Sequence, residues 1–122
     1  IRIGHPQSWD RAWKVMDESG GWFAEVSDEE ILAAQRMLTQ HEGIFCEPAS
    51  AASLAGLIKD LDSGKIQDGS SIVLTLTGNG LKDPDTAIAQ CTGDTPGVEK
   101  ATMVTIDADL ESVRNAILGF ME

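Results

Sequence analysis

The sequence predicts an α/β fold with a largely parallel sheet. Helix-like and strand-like segments alternate along the chain, the order that favours helices packed on parallel strands. Ser71 to Leu76 is a continuous apolar run with β-branched members, as expected of a strand covered on both faces. That run leads directly into Thr77-Gly78-Asn79-Gly80, a strand-end loop. Only about three strands are evident, few for a complete doubly wound domain.

The first element follows the turn-forming Gly4-His5-Pro6, where Ser8 is placed to cap a helix with Trp9, Ala12, Trp13 and Met16 at i, i+3, i+4 and i+7. Gly20-Gly21 ends it, and Trp22 to Val26 reads as a short strand. Ser27-Asp28-Glu29-Glu30 has the form of a capping box, with the Glu30 carboxylate reaching back to the N–H of the cap, and predicts a second helix to about His41. Ile44-Phe45-Cys46 is a short apolar stretch before Glu47-Pro48, and proline at a first helical position predicts a third helix.

The opening of that helix, Ala49-Ser50-Ala51-Ala52-Ser53, holds only small side chains, so something bulky is expected against it; Leu54, Leu57, Ile58 and Leu61 follow as an ordinary apolar stripe. Asp83-Pro84-Asp85 opens a short helix through Ile88, and Thr92 to Lys100 reads as a connector. Thr102 to Ile106 alternates as a strand does, and Leu110, Val113, Ile117 and Met121 trace one helical face with Asp107 or Asp109 at its acidic start. No internal repeat or low-complexity tract is visible.

Composition narrows the function classes. A chain of 122 residues, 42% hydrophobic and 24% charged, has the profile of one soluble globular unit. It is short for an enzyme with an enclosed cofactor cleft. With Ile1 first and no initiator methionine, the sequence reads as starting inside a longer frame. Twenty acidic residues against 9 basic ones give a formal charge of −11, a field that repels phosphate backbones and anionic lipid, so neither nucleic acid nor membrane is expected as a partner. Two cysteines, Cys46 and Cys91, form no C-x-x-C pair, and His5 and His41 have no ligand spacing; no disulfide scaffold or metal site is expected, and a cytoplasmic location fits.

Two segments could carry chemistry. In Leu76-Thr77-Gly78-Asn79-Gly80-Leu81-Lys82-Asp83, the glycines permit close backbone approach, Thr77 and Asn79 offer short polar groups, and Lys82 adds a cation beyond the end of a strand, where ligands bind in open α/β sheets. The same features suit a plain strand-to-helix turn. Neither phosphate-loop spacing is present, which sets nucleotide binding aside. In Glu47-Pro48-Ala49-Ser50-Ala51-Ala52-Ser53, Glu47 could contact a ligand or stabilise the helix dipole, and the small residues could accept a flat ring or a neighbouring helix. Trp9, Trp13 and Trp22 read as packing anchors. No serine nucleophile elbow occurs.

Four stretches in order, Arg2-Ile3-Gly4-His5-Pro6-Gln7-Ser8-Trp9, Val26-Ser27-Asp28-Glu29-Glu30-Ile31, Gly43-Ile44-Phe45-Cys46-Glu47-Pro48-Ala49-Ser50-Ala51-Ala52-Ser53 and Leu76-Thr77-Gly78-Asn79-Gly80-Leu81-Lys82-Asp83-Pro84, resemble the closing section of the threonine synthase family. The likeness is strong to about Ala87 and weaker beyond it; His5 departs from the family's asparagine. The resemblance implies a pyridoxal-phosphate enzyme of the tryptophan synthase β-subunit-like fold that converts O-phosphohomoserine and water into threonine and phosphate. It implies that residues 1–122 are the C-terminal portion of the cofactor domain, with 98–122 as a strand-helix tail and an incomplete sheet.

The same resemblance implies that Thr77 meets the pyridine nitrogen of the cofactor, that Glu47 lines the far side of the ring, and that Gly78 and Gly80 leave room for the ring edge and the backbone. A neutral hydroxyl does not hold a proton on that nitrogen as a carboxylate would. The Schiff-base lysine is expected upstream of Ile1 and is not Lys82, so the chain alone is expected to be inactive and the parent enzyme to be a homodimer. Two further readings stand beside this one: a non-catalytic interaction module, and part of a threonine dehydratase-like lyase. Leu76 to Pro84 favours the synthase.

Overall fold

A computed structural model describes residues 3–93, 100 and 104–120. The chain falls into two units, Ile1–Asp83 and Pro84–Glu122. The first contains α1 (Trp9–Ser19), α2 (Asp28–Glu42), α3 (Pro48–Asp62) and a 3₁₀ turn at Gly80–Lys82; the second contains α4 (Pro84–Thr92) and α5 (Leu110–Gly119).

The five helices lie where the pattern places them, with α4 extending past Ile88 to Thr92. The capping box of α2 is complete: Ser27 Oγ accepts from the Glu30 N–H at 3.2 Å, and the Glu30 carboxylate accepts from the Ser27 N–H at 2.6 Å. Pro48 begins α3 after Glu47, and Asp109 caps α5 by accepting from the Ser112 N–H. Ser8 occupies the cap position of α1 but makes no side-chain cap bond, because its backbone, at φ −104° and ψ 25°, is not in the extended region that turns a cap oxygen toward the first turn. At the other end of α1, Gly20 closes the helix at φ 66°, a left-handed conformation that glycine takes without a Cβ penalty.

The core of the first unit lies between α2 and α3, where Ile31, Ala34, Leu38, Cys46, Ala51 and Ala55 are buried, with Val26, Leu54 and Leu76 packed partly against them. Ala34, Ala51 and Ala55 let the two helices meet closely, since an alanine adds only a methyl to the seam that Ile31 and Leu38 fill. Leu38→Ala is accordingly expected to destabilise the full-length protein by about 2–5 kcal/mol, read as a lowered denaturant midpoint.

The sheet is where structure and expectation part. Among the described residues no strand ladder forms; residues 22–26, 71–76 and 104–106 adopt no regular secondary structure, and the one pairing is an isolated antiparallel bridge between Cys46 and Asn79. A strand is stabilised by hydrogen bonds to a neighbour, and no described segment pairs with residues 71–76 to supply them. Their side chains register the same fact, with Val73 92% exposed despite a strand-type sequence. Residues 102 and 103 of the last expected strand, and most of the Thr92 to Lys100 connector, lie outside the described residues.

The tryptophans do not enter this core. Trp9 stacks on Phe23 with ring centroids 5.9 Å apart, Trp13 lies 5.7 Å from the same ring, and no residue of α1 is buried. Trp22 instead donates its indole N–H to Asp60 at 2.7 Å, with the Lys65 ammonium 4.1 Å above its ring.

Electrostatics at the α2 cap give a pH dependence. The N–H of Ser27 holds the Glu30 carboxyl below its ordinary 4.5; loss of hydration opposes it, and Lys59 and the Ser27 hydroxyl add smaller lowering contributions. A group whose folded value is depressed contributes stability above its unfolded value and loses it as pH falls through the folded one. Glu30→Gln is therefore expected to lower stability at pH 7 and to converge with the native protein as the pH falls through the depressed folded value of Glu30, as read from unfolding curves recorded across the acid range.

Candidate functional site

Two segments far apart in sequence meet at the N-terminal turn of α3. Phe45–Glu47 runs beside Gly78–Gly80 as a two-bond strap: the Glu47 N–H donates to the Gly78 carbonyl at 3.0 Å, and the Gly80 N–H donates to the Phe45 carbonyl at 3.1 Å. The strap is anchored to α2 by Gln35, whose buried amide donates to the Cys46 carbonyl at 2.7 Å. Cys46 is itself buried, and loss of hydration pushes its thiol upward, which leaves a poorly nucleophilic packing residue.

Glycine is required on this strap for space. A Cβ on Gly78 would fall on the Glu47 carboxylate, and one on Gly80 would fall on the Phe45 ring. The backbone of Gly78 thus lies directly against the acid, and the small side chains at the start of α3 admit backbone where something bulky was expected. Ser50 is the point of contact. Its hydroxyl, 3% exposed, accepts from the Thr77 N–H at 3.0 Å and the Gly78 N–H at 2.7 Å, and it lies 3.0 Å from Thr77 Oγ1.

The structure therefore brings Glu47, Thr77 and Gly78 together, with Thr77 exposed and Glu47 half-buried. Lys82 joins them: its ammonium pairs with Glu47 Oε2 at 2.9 Å, the Glu47 side chain 16% exposed. Asn79 turns inward to its own loop, accepting from the Leu81 N–H at 2.9 Å. His5 and His41 stand apart on exposed positions, and no cluster of three metal-ligating side chains occurs among the described residues.

Sequence reasoning passed over Ser50 as one of five small residues. The signal that could have distinguished it is its place at the third position of α3, three residues after Glu47, where a hydroxyl at the helix start can collect N–H groups from a crossing segment.

In chemical terms, the strap presents a neutral hydroxyl, a carboxylate balanced by an ammonium, and a glycine backbone close to both. That set suits a planar, partly polar ligand held at one edge by the hydroxyl; it has no free nucleophile–base pair of its own.

The family model described as "Pyridoxal-phosphate dependent enzyme" matches residues 1–78. The chain is 46% identical over 119 residues to threonine synthase of Bacillus sp. (strain ULM1), an alignment covering 98% of this chain and 32% of that protein. It is 58% identical over 89 residues to threonine synthase of Halalkalibacterium halodurans, covering 73% of this chain and 25% of that protein. With threonine synthase of Methanosarcina acetivorans it shares 47% identity over 119 residues, covering 98% of this chain and 27% of that protein. The chain thus spans less than a third of the length of each of these relatives.

Proposed function

We propose, since the chain belongs to the family of pyridoxal-phosphate dependent enzymes, that it forms one wall of the cofactor cleft in a threonine synthase, which converts O-phosphohomoserine and water into threonine and phosphate. The observation that carries this reading is the strap itself: Thr77, Gly78 and Glu47, chosen from sequence for the cofactor ring, come together around Ser50.

The residues present fit that group at one edge. Thr77 is an exposed residue whose neutral hydroxyl lies against Ser50, and at Gly78 the place a Cβ would take is occupied by the Glu47 carboxylate. Thr77 would hold the pyridine nitrogen, Gly78 would leave room for the ring edge, and Glu47 would line the ring's far side. When bound, pyridoxal phosphate supplies an electron sink for negative charge developing on the substrate's carbon skeleton. The chain's own part is to orient that sink and to keep a carboxylate from the ring nitrogen, since Glu47 is committed to Lys82.

In this reading residues 1–122 are the C-terminal portion of the cofactor domain, 98–122 form its strand-helix tail, and the partnerless segment Ser71–Leu76 pairs in a parallel sheet with strands supplied by the rest of the enzyme. The anchoring lysine and the substrate-phosphate residues also lie outside these residues, the enzyme is a cytoplasmic homodimer, and nucleic acid and membrane are not among its partners. No helix among the described residues is long and apolar enough to cross a membrane.

The test is turnover by the full-length protein. Equal release of phosphate and threonine from O-phosphohomoserine, absent in the isolated 122-residue chain, is the expected result. Deamination of threonine without synthase turnover would replace this reading with the dehydratase-like one, and activity in the isolated chain would overturn its role as a single wall.

A further inference from the structure

We propose that Lys82 is a positioning residue that holds and neutralises the Glu47 carboxylate, so that a phosphorylated, anionic substrate can reach the strap without meeting an uncompensated negative charge. This rests on the reading above, in which Glu47 lines the cofactor ring and the substrate is a phosphate ester, and assigns a task to a residue outside the set that meets the cofactor.

The loop is built to bring this lysine back. Its 3₁₀ turn, Gly80–Lys82, closes on its own backbone and cap: Asn79 Oδ1 accepts from the Leu81 N–H at 2.9 Å, and the Asn79 carbonyl accepts from the Lys82 N–H at 3.1 Å. From there the Lys82 ammonium reaches Glu47 Oε2 at 2.9 Å. The same carboxylate occupies the place a Cβ would take at Gly78. Glycine backbone and ammonium together fix where the negative charge stands.

Glu47 is the one carboxylate in the two segments of the strap, Phe45–Glu47 and Gly78–Gly80. Among the described residues Lys82 is its one ion-pair partner. Exposure within the pair is unequal, at 16% for the Glu47 side chain and 65% for that of Lys82. Water screens so covered a charge poorly, and removal of the ammonium leaves it without an offset. A phosphate monoester carries about −1.5 to −2 charges at pH 7, so a bare carboxylate on the wall it approaches repels it. The formal charge of −11 on the whole chain acts in the same direction. Lys82 cancels the acid nearest the proposed ring position. Because its ammonium is already held by Glu47, its part is to remove a repulsion, and the grip on the phosphate belongs to other groups.

The experiment is steady-state kinetics of the full-length enzyme with O-phosphohomoserine, at low and raised ionic strength, beside calorimetric titration with inorganic phosphate, the anionic product. Lys82→Gln keeps a hydrogen-bond donor and loses the charge. It is expected to raise KM about fivefold to tenfold, with kcat changed by less than about twofold, and to weaken phosphate binding in parallel. Raised salt is expected to narrow the difference from the native enzyme, as a repulsion requires and a packing defect does not. Lys82→Arg, which returns the charge, is expected to restore the native KM. Combining Lys82→Gln with Glu47→Gln removes both charges and is expected to bring KM back toward the native value. A KM that stays as high in the pair would mean that Lys82 meets the substrate directly, and would overturn its action through Glu47. An unchanged KM in Lys82→Gln, or an increase that salt leaves untouched, also overturns the proposal. Native turnover separates the two levels: without it the reading of the site is lost and this inference with it, whereas native turnover beside an indifferent Lys82→Gln removes the role of Lys82 alone.

Discussion

Thr77→Asp in the full-length enzyme is expected to change the visible spectrum of the bound cofactor and to lower turnover. The new carboxylate would stand in place of the neutral hydroxyl of an exposed residue, with Ser50 fixing the backbone beside it. An opposite charge at hydrogen-bond distance raises the proton affinity of a basic nitrogen by about 10- to 1000-fold. A ring nitrogen kept neutral by threonine would then carry a proton at neutral pH, and the electronic character of the ring would change with it. The absorbance spectrum, recorded against pH, checks this without relying on turnover. An unaltered spectrum together with unaltered turnover would remove Thr77 from the ring nitrogen.

Gly78→Ala tests the other half of the strap. Its methyl would coincide with the Glu47 carboxylate, so either the carboxylate leaves its ion pair with Lys82 or the strap moves away from α3. Overpacking of this kind costs about 1–3 kcal/mol, and the exposed ion pair adds little to that because Lys82 is 65% exposed. The expected outcome is a drop in cofactor affinity of about 10- to 100-fold with the helices intact, measured by cofactor titration beside circular dichroism. Native affinity would mean that Glu47 swings aside freely and that the close approach at Gly78 serves the turn alone.

How far these features were legible in sequence depended on the range of the interaction behind each. The α2 capping box involves residues three apart, Ser27 and Glu30, and its pattern determines its geometry. Pro48 likewise marks the start of α3 by a local restriction. Ser71–Leu76 has the side chains of a buried strand, but pairing belongs to two segments, and no described segment pairs with this one. Glu47, Thr77 and Gly78 could be chosen as site residues from motif resemblance, whereas the role of Ser50 could not. A serine in a run of alanines is ambiguous until the crossing backbone at Thr77 and Gly78 is in place. The Lys82–Glu47 pair was hidden for the same reason, since a lysine in a glycine-rich loop has no direction in sequence.

The bond from Thr77 N–H to Ser50 spans 27 positions of the chain. Closing a flexible loop of that length costs about 3 kcal/mol of chain entropy beyond the constant for closure. Because the bond is made within the folded unit, by a serine seated on a helix that α2 already holds, that cost falls on folding and not on ligand capture. A ligand arriving at the strap meets a preorganised edge, and the affinity it gains there is not reduced by ordering the loop that presents it.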